Sequence, residues 1–389
     1  MRIVDVCAFY TPAGGGVKTY VERKLQAAPA AGHEMVVLAP GDEDRIEEVA
    51  PGAIIATIAA APFPLDRNYH YFDDQERLHA ALDQWRPDLV EVASPWTSAA
   101  MVGRWRGDAP RALIMHCDFL SAYPYRWLQG MFSISTIDRQ LEWYWRHLRR
   151  LDRQFDFVVS ASDDLTQRLR AGGVAKARTI PMGVQPGVFS PALRDEDLRR
   201  EMLEQCGLPP EATLLVGLGR MAPEKRWPMI CEAVLAAGSH HAVGLVLFGA
   251  GRDRARVMRA TRGSPHIVVA PAIADRDRLA RMLASADALI HGCEAETFCM
   301  VAAEGAASGL PLILPDRGGA ADHYRPGCGI RYAACDPRDL GDQLTAFLGD
   351  DPQGERRRAV ALAPDVRLMD AHFADLFAVY VRALARAAA

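Results

Sequence analysis

Residues 287–309, DALIHGCEAETFCMVAAEGAASG, contain a short apolar run, a polar loop and an alanine-rich segment in that order. This order is typical of a strand, a loop and a helix. Similar apolar, β-branched runs alternate with amphipathic segments along the whole chain. The strand candidates are 2–9, 34–40, 53–59, 89–94, 112–117, 157–162, 177–184, 213–219, 243–249, 266–271, 287–292, 310–315 and 329–334. The pattern predicts an α/β fold whose doubly wound parallel sheets are covered by helices on both faces.

The length of 389 residues fits two domains of about 150–200 residues each. A stretch rich in Gly, Pro and charge, 183–212, interrupts the alternation and is typical of a boundary. We expect Rossmann-like domains at 1–186 and 187–365, and a C-terminal helix within 366–389 that crosses back onto the first domain. Ligands of such sheets bind at the carboxyl ends of the strands. Two domains of this kind are expected to face a central cleft.

Composition excludes several classes of protein. The net charge of −4, without a basic tail, gives no attraction to nucleic acid. The eight cysteines contain no CxxC pair, which argues against a disulfide framework and against a zinc knuckle. The N-terminus is too short and too polar for a signal peptide, and no run of 18 apolar residues occurs. We expect a cytoplasmic protein, either free or peripheral on the inner face of the membrane.

The opening stretch is predicted to form a capped helix. Thr297 is a suitable N-cap and Gly309 a suitable C-terminal glycine, which predicts a helix from Phe298 to about Ser308.

Three glutamates lie in this stretch, and their spacing limits what they can do. Glu296 and Glu304 are eight positions apart, or about 12 Å if the whole segment is helical. That separation is too large for two carboxylates that act on one glycosidic bond. No His or second Asp is spaced with them for a metal. They suit an extended polyol, and Glu294 is interpreted as loop surface.

The segment VGLGRMAPEKRWP (216–228) formally matches a dinucleotide fingerprint. The match is rejected because Pro228 places the helix start too late and no acidic residue ends the next strand. The loop instead offers Arg220 and Lys225, whose charges suit a pyrophosphate. A solvated loop is the alternative. It is disfavoured because only four of the 45 basic residues are lysines.

Two features of the first half also point to a ligand site. The glycine run Gly14–Gly16 precedes a helix that begins near Val17, and such a helix N-terminus favours an anion. A plain βα turn is the alternative for this run. His116 and Asp118 end a buried strand, where His116 is either a core histidine or a cleft residue able to bind a sugar hydroxyl.

Together these segments resemble the retaining glycosyltransferases of family 4, a superfamily with the GT-B fold that includes glycogen synthases and phosphatidylinositol mannosyltransferases. EAETFCMVAAE resembles the family's pair of glutamates separated by seven residues, matched by Glu296 and Glu304, and GRMAPEK resembles its phosphate loop. GGGV (14–17), GVQPGVF (183–189) and GGAADH (318–323) occupy the places of its glycine loop, linker and glycine turn. The likeness covers essentially the whole chain. Three departures are Cys299 where Gly is usual, Gln185 where Asp is usual and Asp322 where Glu is frequent.

The resemblance implies a role for each matching residue. Arg220 and Lys225 would bind the donor pyrophosphate, Glu304 the ribose and Glu296 the donor sugar. His116 would lie beside that sugar. The remaining substrate-binding positions are Gly15, Gly16, Phe298, Cys299, Met300 and Val301. The expected catalytic residues are therefore His116, Glu296, Arg220 and Lys225, with no metal and no cofactor beyond the nucleotide-sugar co-substrate.

The resemblance places the acceptor on the first domain, where 123–155 is the most unusual stretch. A 3,4-spaced stripe of apolar residues predicts core packing: Ile137, Leu141, Tyr144, Leu148 and Leu151. Off this stripe lie arginines and aromatic residues that suit a membrane headgroup region: Trp127, Met131, Trp143, Arg146, Arg149, Arg150 and Arg153. The hypothesis is a lipid-linked acceptor with contact to anionic membrane. A solvated basic face is the alternative.

The sequence thus favours a metal-independent hexosyltransferase that uses a nucleotide sugar and a hydroxyl acceptor. A non-hydrolysing nucleotide-sugar epimerase of the same fold is the alternative enzyme, and a catalytically silent binding protein is the third interpretation.

Overall fold

The computed structural model describes residues 1–11, 16–64, 69–128 and 130–387. The chain divides into two compact units. The first contains Met1–Leu120, Trp127–Pro181 and the C-terminal segment from Asp370, and the second contains Ser121–Arg126 and Met182–Met369.

The first unit is built on an eight-stranded sheet of order β3-β4-β2-β1-β5-β6-β7-β8. Its strands are β1 Arg2–Val6, β2 Glu34–Gly41, β3 Arg45–Ala50, β4 Ala53–Ala59, β5 Leu89–Val92, β6 Arg111–Met115, β7 Phe157–Ser160 and β8 Ala177–Thr179. The α-helices along this part of the chain are α1 Gly16–Ala30, α2 Gln75–Trp85, α3 Thr97–Gly103, α4 Arg126–Leu128, α5 Ile134–Gln140, α6 Glu142–Gln154 and α7 Asp163–Ala171. Every described strand pairing is parallel except that of β3 with β4.

The second unit contains a six-stranded parallel sheet of order β11-β10-β9-β12-β13-β14. Its strands are β9 Thr213–Leu218, β10 Val243–Phe248, β11 Ile267–Ala270, β12 Ala288–Ile290, β13 Leu312–Pro315 and β14 Gly329–Tyr332. Its α-helices are α8 Glu196–Gln205, α9 Trp227–Ala237, α10 Arg254–Ala260, α11 Arg276–Ser285, α12 Met300–Ala307, α13 Pro337–Gly349 and α14 Pro352–Leu362. The four inner strands, β10, β9, β12 and β13, are almost wholly buried, as expected of a parallel sheet covered on both faces.

The last helix, α15 (Met369–Ala387), returns the chain to the first unit. The Tyr380 hydroxyl donates a hydrogen bond to Glu91 on β5. Glu91 also binds Lys24 of α1, whose ammonium lies 2.7 Å from Asp5 on β1. We call Asp5, Lys24, Glu91 and Tyr380 the buried charge cluster, since all four side chains are fully buried. It connects two neighbouring strands to two helices.

The predicted parallel α/β architecture is confirmed, with each predicted strand present in the sheets. One strand is missing from the prediction. β3, RIEEVA, is exposed at all six positions and pairs antiparallel at the sheet edge, so no buried residues alternate along it. No helix in the described part of the chain is both long and apolar enough to cross a membrane.

The predicted stripe in the first unit lies on two helices rather than one. Leu141 separates α5 from α6 and remains half-buried, whereas the other four stripe residues are buried. On α6 the side chains of Trp143, Arg146, Arg150 and Arg153 are exposed. They lie on one face because they follow one another at intervals of three or four residues. Arg149 departs from the prediction, because it is paired with Glu142 and donates to the Gly172 carbonyl.

Candidate functional site

The β9–α9 loop begins with a glycine that its conformation requires. Gly219 has a φ of +152°, a value that side-chain-bearing residues rarely adopt. Beyond it, the fully buried indole of Trp227 donates from Nε1 to the Arg220 carbonyl at 2.9 Å. This bond anchors the loop backbone. The Arg220 side chain is 78% exposed and lies 3.1 Å from Glu224, so it can reach a ligand in solvent.

Lys225 of this loop forms an ion pair with Glu296 of the β12–α12 loop. The two loops meet because β9 and β12 are parallel neighbours whose carboxyl ends lie at the same sheet edge. Burial disfavours both charged forms, but the attraction between the two charges is stronger than this effect. Glu296 therefore raises the pKa of Lys225, and Lys225 lowers the pKa of Glu296 well below its ordinary range. His291, at the end of β12, places Nε2 3.2 Å from the same carboxylate oxygen.

A second ion pair holds the same loops together. Arg226 Nε donates to Glu294 Oε2 at 2.7 Å, and both side chains are largely buried. The interpretation of Glu294 as loop surface is therefore wrong. Its partner lies 68 positions earlier in the chain, and no local pattern reveals it.

The helix after Glu296 begins later than predicted. Cys299, not Thr297, is the N-cap, and α12 starts at Met300. Cys299 has a φ of +69°, a left-handed conformation that ends the loop abruptly. The C-terminus agrees with the prediction: Gly309 has a φ of +74°, and Leu310 donates to the Gly305 carbonyl in a Schellman motif.

The late helix start overturns the assumption behind the estimated separation of the two glutamates. Only Met300 to Glu304 is helical, so the helix accounts for about 6 Å of rise, and the ~12 Å that a continuous helix would give does not apply. Different partners nevertheless distinguish them. Glu304 is 4% exposed and accepts from Arg276 at 2.8 Å, and Arg276 stacks on Phe189. Burial outweighs Arg276 and raises the pKa of Glu304, whereas that of Glu296 is lowered.

The glycine turn GGAADH (318–323) packs against the backbone of the loop that carries Glu296. A Cβ on Gly318 would collide with the Glu294 carbonyl, and one on Gly319 would collide with the backbone at Phe298. The Gly319 amide donates to the Glu296 carbonyl at 2.7 Å. Nearby, His323 Nε2 lies 2.6 Å from the Phe298 carbonyl, and its ring packs edge-on against the Phe298 ring. Close backbone approach therefore explains both glycines.

His116 follows β6 in the first unit, and its ring packs edge-on against Tyr20 at 4.8 Å. Burial, with the charges of Lys24 and His372, lowers the pKa of His116 to about 3. The imidazole is therefore neutral at pH 7 and suits hydrogen bonding rather than acid catalysis. Gly14 and Gly15 lie outside the described residues. Gly16 is the first residue of α1, and an added Cβ there would meet no atom within 4 Å.

The structure thus brings Lys225 and Glu296 together and places Cys299 and Met300 at the adjoining helix start. Sequence reasoning missed His291 and Arg276. The signal for His291 was available, because it ends a buried strand as His116 does. No comparable signal marked Arg276, which lies in the first turn of an otherwise ordinary amphipathic helix.

The fold of this chain matches those of solved glycosyltransferase structures. Sucrose-phosphate synthase from Thermosynechococcus elongatus superimposes with a TM-score of 0.77 over 99% of this chain and 100% of that chain, at 19% identity. The fold is therefore that of the GT-B glycosyltransferases, with two Rossmann-like units. Sequence identifies the family: a model of "Glycosyltransferase Family 4" matches residues 14–187, and one of "Glycosyl transferases group 1" matches 212–350.

Two sequence relatives extend this likeness. A GDP-mannose-dependent alpha-mannosyltransferase of Mycobacterium tuberculosis is 31% identical over 330 residues, covering 84% of this chain and 82% of that protein. A GDP-mannose-dependent alpha-(1-6)-phosphatidylinositol dimannoside mannosyltransferase of the same species is 28% identical, covering 81% and 79%. The chain belongs to glycosyltransferase family 4, and it is a glycosyltransferase.

Proposed function

We propose that this glycosyltransferase moves a hexosyl unit from a nucleoside-diphosphate sugar to a hydroxyl acceptor and retains the anomeric configuration. The observation that carries the proposal is the Lys225–Glu296 ion pair between two βα loops at one sheet edge. A lysine held there can exchange its carboxylate partner for a diphosphate. GDP-mannose is the donor to test first, because the names of both sequence relatives specify it.

In this proposal, Lys225 and Arg220 stabilise the charge that grows on the diphosphate as its bond to the sugar carbon breaks. The acceptor hydroxyl forms the new bond at that carbon and loses its proton, and the nucleoside diphosphate leaves. Glu296, released from Lys225, accepts hydrogen bonds from sugar hydroxyls. The N-terminal amides of α12 at Met300 and Val301 face the anion.

Glu304 is the proposed ribose acceptor. It already accepts from Arg276, so ribose binding requires either its second oxygen or displacement of Arg276. The two cations of the β9–α9 loop supply the charge that a metal would bring. We therefore propose that transfer needs no divalent metal, and we expect full activity in the presence of EDTA.

The deciding experiment incubates the protein with a panel of nucleotide sugars, with and without candidate acceptors. Acceptor-dependent release of nucleoside diphosphate, with product of the donor's anomeric configuration by NMR, supports the proposal. Inversion would overturn retention. Interconversion of nucleotide sugars without release of nucleoside diphosphate would instead indicate an epimerase. No observation on the described residues specifically favours that activity. Thermal shifts against GDP, UDP and ADP identify the base, since a ligand that binds the folded state raises its melting temperature.

We further propose that the acceptor is lipid-linked and that the first unit contacts anionic membrane through one surface. This surface, the aromatic–arginine face, consists of Trp127, Met131, Phe132, Trp143, Arg146, Arg150 and Arg153. The four apolar side chains are 50–70% exposed, and exposed aromatic residues and arginines within one segment, 127–153, match the chemistry of an anionic headgroup layer. Each arginine near such a surface contributes about 1 kcal/mol.

Vesicle co-sedimentation tests this surface. We expect binding to anionic vesicles that weakens in high salt, no binding to zwitterionic vesicles, and loss of binding in Arg146→Glu/Arg150→Glu/Arg153→Glu. Arg149 is left intact because it has structural partners. The matched control is Arg278→Glu/Arg338→Glu/Arg357→Glu, three exposed arginines of the second unit. Equal loss in both triple variants would indicate a general charge effect and contradict the proposed surface.

A further inference from the structure

The β12–α12 loop contains a group of side chains that the transfer reaction does not fully explain. His291, Glu296 and Cys299 each offer one ligand atom, and these atoms lie within 4.8 Å of one another. The three residues come from nine consecutive positions, held at one end by the buried strand β12 and at the other by the left-handed N-cap of α12. The loop is therefore preformed rather than assembled by folding around a ligand.

His291 supplies a second, independent observation. It is fully buried, and its Nδ1 makes no hydrogen bond to another described residue. A buried ring nitrogen without a hydrogen bond forfeits the stabilisation that such a polar group normally obtains. Its Nε2 nevertheless lies 3.2 Å from Glu296, so the ring is turned toward the other two ligands.

We propose that His291, Glu296 and Cys299 bind one soft divalent cation of the zinc type, and that this cation competes with the donor diphosphate. An imidazole, a thiolate and a carboxylate with one open position form a ligand set that zinc accepts. Magnesium and calcium prefer sites made of oxygen alone. Binding converts the Cys299 thiol to a zinc-bound thiolate, and the proton passes to the solvent.

The competition follows from the place of Lys225. Its ammonium already contacts Glu296, so a cation bound by Glu296 repels Lys225 from its partner. Under the proposed transfer function, on which this consequence rests, the same Lys225 and Glu296 hold the donor. Zinc is therefore expected to inhibit transfer rather than to assist it.

Metal binding is tested without nucleotide or acceptor, so its outcome is independent of the transfer proposal. Zinc is titrated calorimetrically into the reduced, metal-free full chain, with magnesium as the contrasting ion. We expect one tight zinc site and no magnesium binding. Cobalt bound at the same site should show a thiolate-to-metal absorption band. No stoichiometric zinc binding, or a cobalt complex without this band, would overturn the site.

Three variants locate the cation. Cys299→Gly removes the ligand while accommodating the positive φ. It should weaken zinc binding by at least about tenfold, because loss of even a residue that merely supports a metal ligand typically has an effect of that size. Cys117→Ser, at an exposed thiol, is the control and should bind zinc as the wild type does. Lys225→Met removes the competing cation and should tighten zinc binding several-fold. Unchanged binding in Cys299→Gly, or loss in Cys117→Ser, contradicts the assignment.

The inhibitory consequence is measured separately, as the effect of zinc on nucleoside-diphosphate affinity. We expect affinity to fall as zinc occupies its site and to recover with EDTA. Zinc binding in a protein that binds no nucleotide would reject the proposed function and leave the metal site standing. Simultaneous, independent binding of both ligands would reject the competition.

Discussion

Lys24 and Lys225 both form ion pairs with carboxylates, in very different surroundings. Lys24 lies between Asp5 and Glu91 on regular helix and strand elements, and all three side chains are fully buried. Lys225 lies on a loop with Glu296, and their side chains are 15% and 21% exposed. A lysine that is sealed from water cannot exchange its carboxylate partners for a ligand, whereas an ion pair with solvent access can open for an anionic ligand. The comparison therefore separates a structural lysine from a functional one.

The sealed pair should show the largest effect on stability. Lys24→Met leaves two buried carboxylates without their cation, and loss of one partner from a buried ion pair costs about 3–5 kcal/mol. Chemical denaturation should show this loss as a lower free energy of unfolding of the first unit. Lys18→Met, at a half-exposed lysine 3.7 Å from Glu22, is the control and should change stability by less than about 0.5 kcal/mol. A loss below about 1 kcal/mol in Lys24→Met would mean that Lys24 contributes no net stabilisation to the buried charge cluster.

The Lys225–Glu296 pair should show the opposite behaviour, with a large effect on the transfer rate and a small effect on stability. Lys225→Met is expected to lower the transfer rate about 10²- to 10³-fold, the usual effect of removing one electrostatic stabiliser from a transition state. Its stability should fall by only about 1 kcal/mol, since water reaches Glu296. The matched control, Lys176→Met, removes a lysine whose ammonium donates to the Phe155 carbonyl and should retain activity. Full activity in Lys225→Met would remove this residue from the site.

Sequence reasoning recognised only one of these lysines, and the reason is physical. Lys225 follows a strand and a glycine loop, which is a local pattern. Lys24 gains its meaning from residues 19 and 67 positions away, and Tyr380 lies 289 positions from Glu91. The sheets were predictable because buried parallel strands are continuous apolar runs. The exposed edge strand β3, the Arg226–Glu294 pair and the late start of α12 were not, because each depends on a distant partner or an unusual backbone angle.

The pH dependence distinguishes the same two clusters. Burial, together with the negative charge of Glu91, outweighs Lys24 and raises the pKa of Asp5 to about 6 from an ordinary value of 3.8. Because the folded state holds this proton more tightly, Asp5 stabilises the fold below pH 3.8, and this contribution is lost as the pH rises through 6. Glu296 acts oppositely: its lowered pKa stabilises the fold above pH 4.5 and less as the pH falls below that value.

Asp5→Asn isolates the first of these contributions. The amide mimics the protonated carboxyl facing Lys24, Glu91, Tyr20, Tyr380 and Cys7. We expect the variant to be more stable than the wild type at pH 8, by an amount on the order of 1–3 kcal/mol. This advantage should shrink as the pH falls from 7 to 4. Denaturation curves across this range measure it, and a difference that does not change with pH would show that Asp5 does not titrate there.

The smallest expected effect concerns the N-cap of α12, Cys299, which follows the loop that carries Glu296. Cys299 adopts a φ of +69° and a ψ of +72°, a region that residues with a Cβ occupy at a cost of about 1 kcal/mol or more. Glycine pays no such cost, so Cys299→Gly should be more stable than Cys299→Ala by about 0.5–1 kcal/mol, although glycine is normally the weaker residue in helices. Both variants lose the same thiol, so comparing them cancels its packing. The opposite order in thermal unfolding would mean that the loop relaxes to a negative φ when the thiol is removed, and that the Cys299 side chain rather than the backbone sets the position of Glu296.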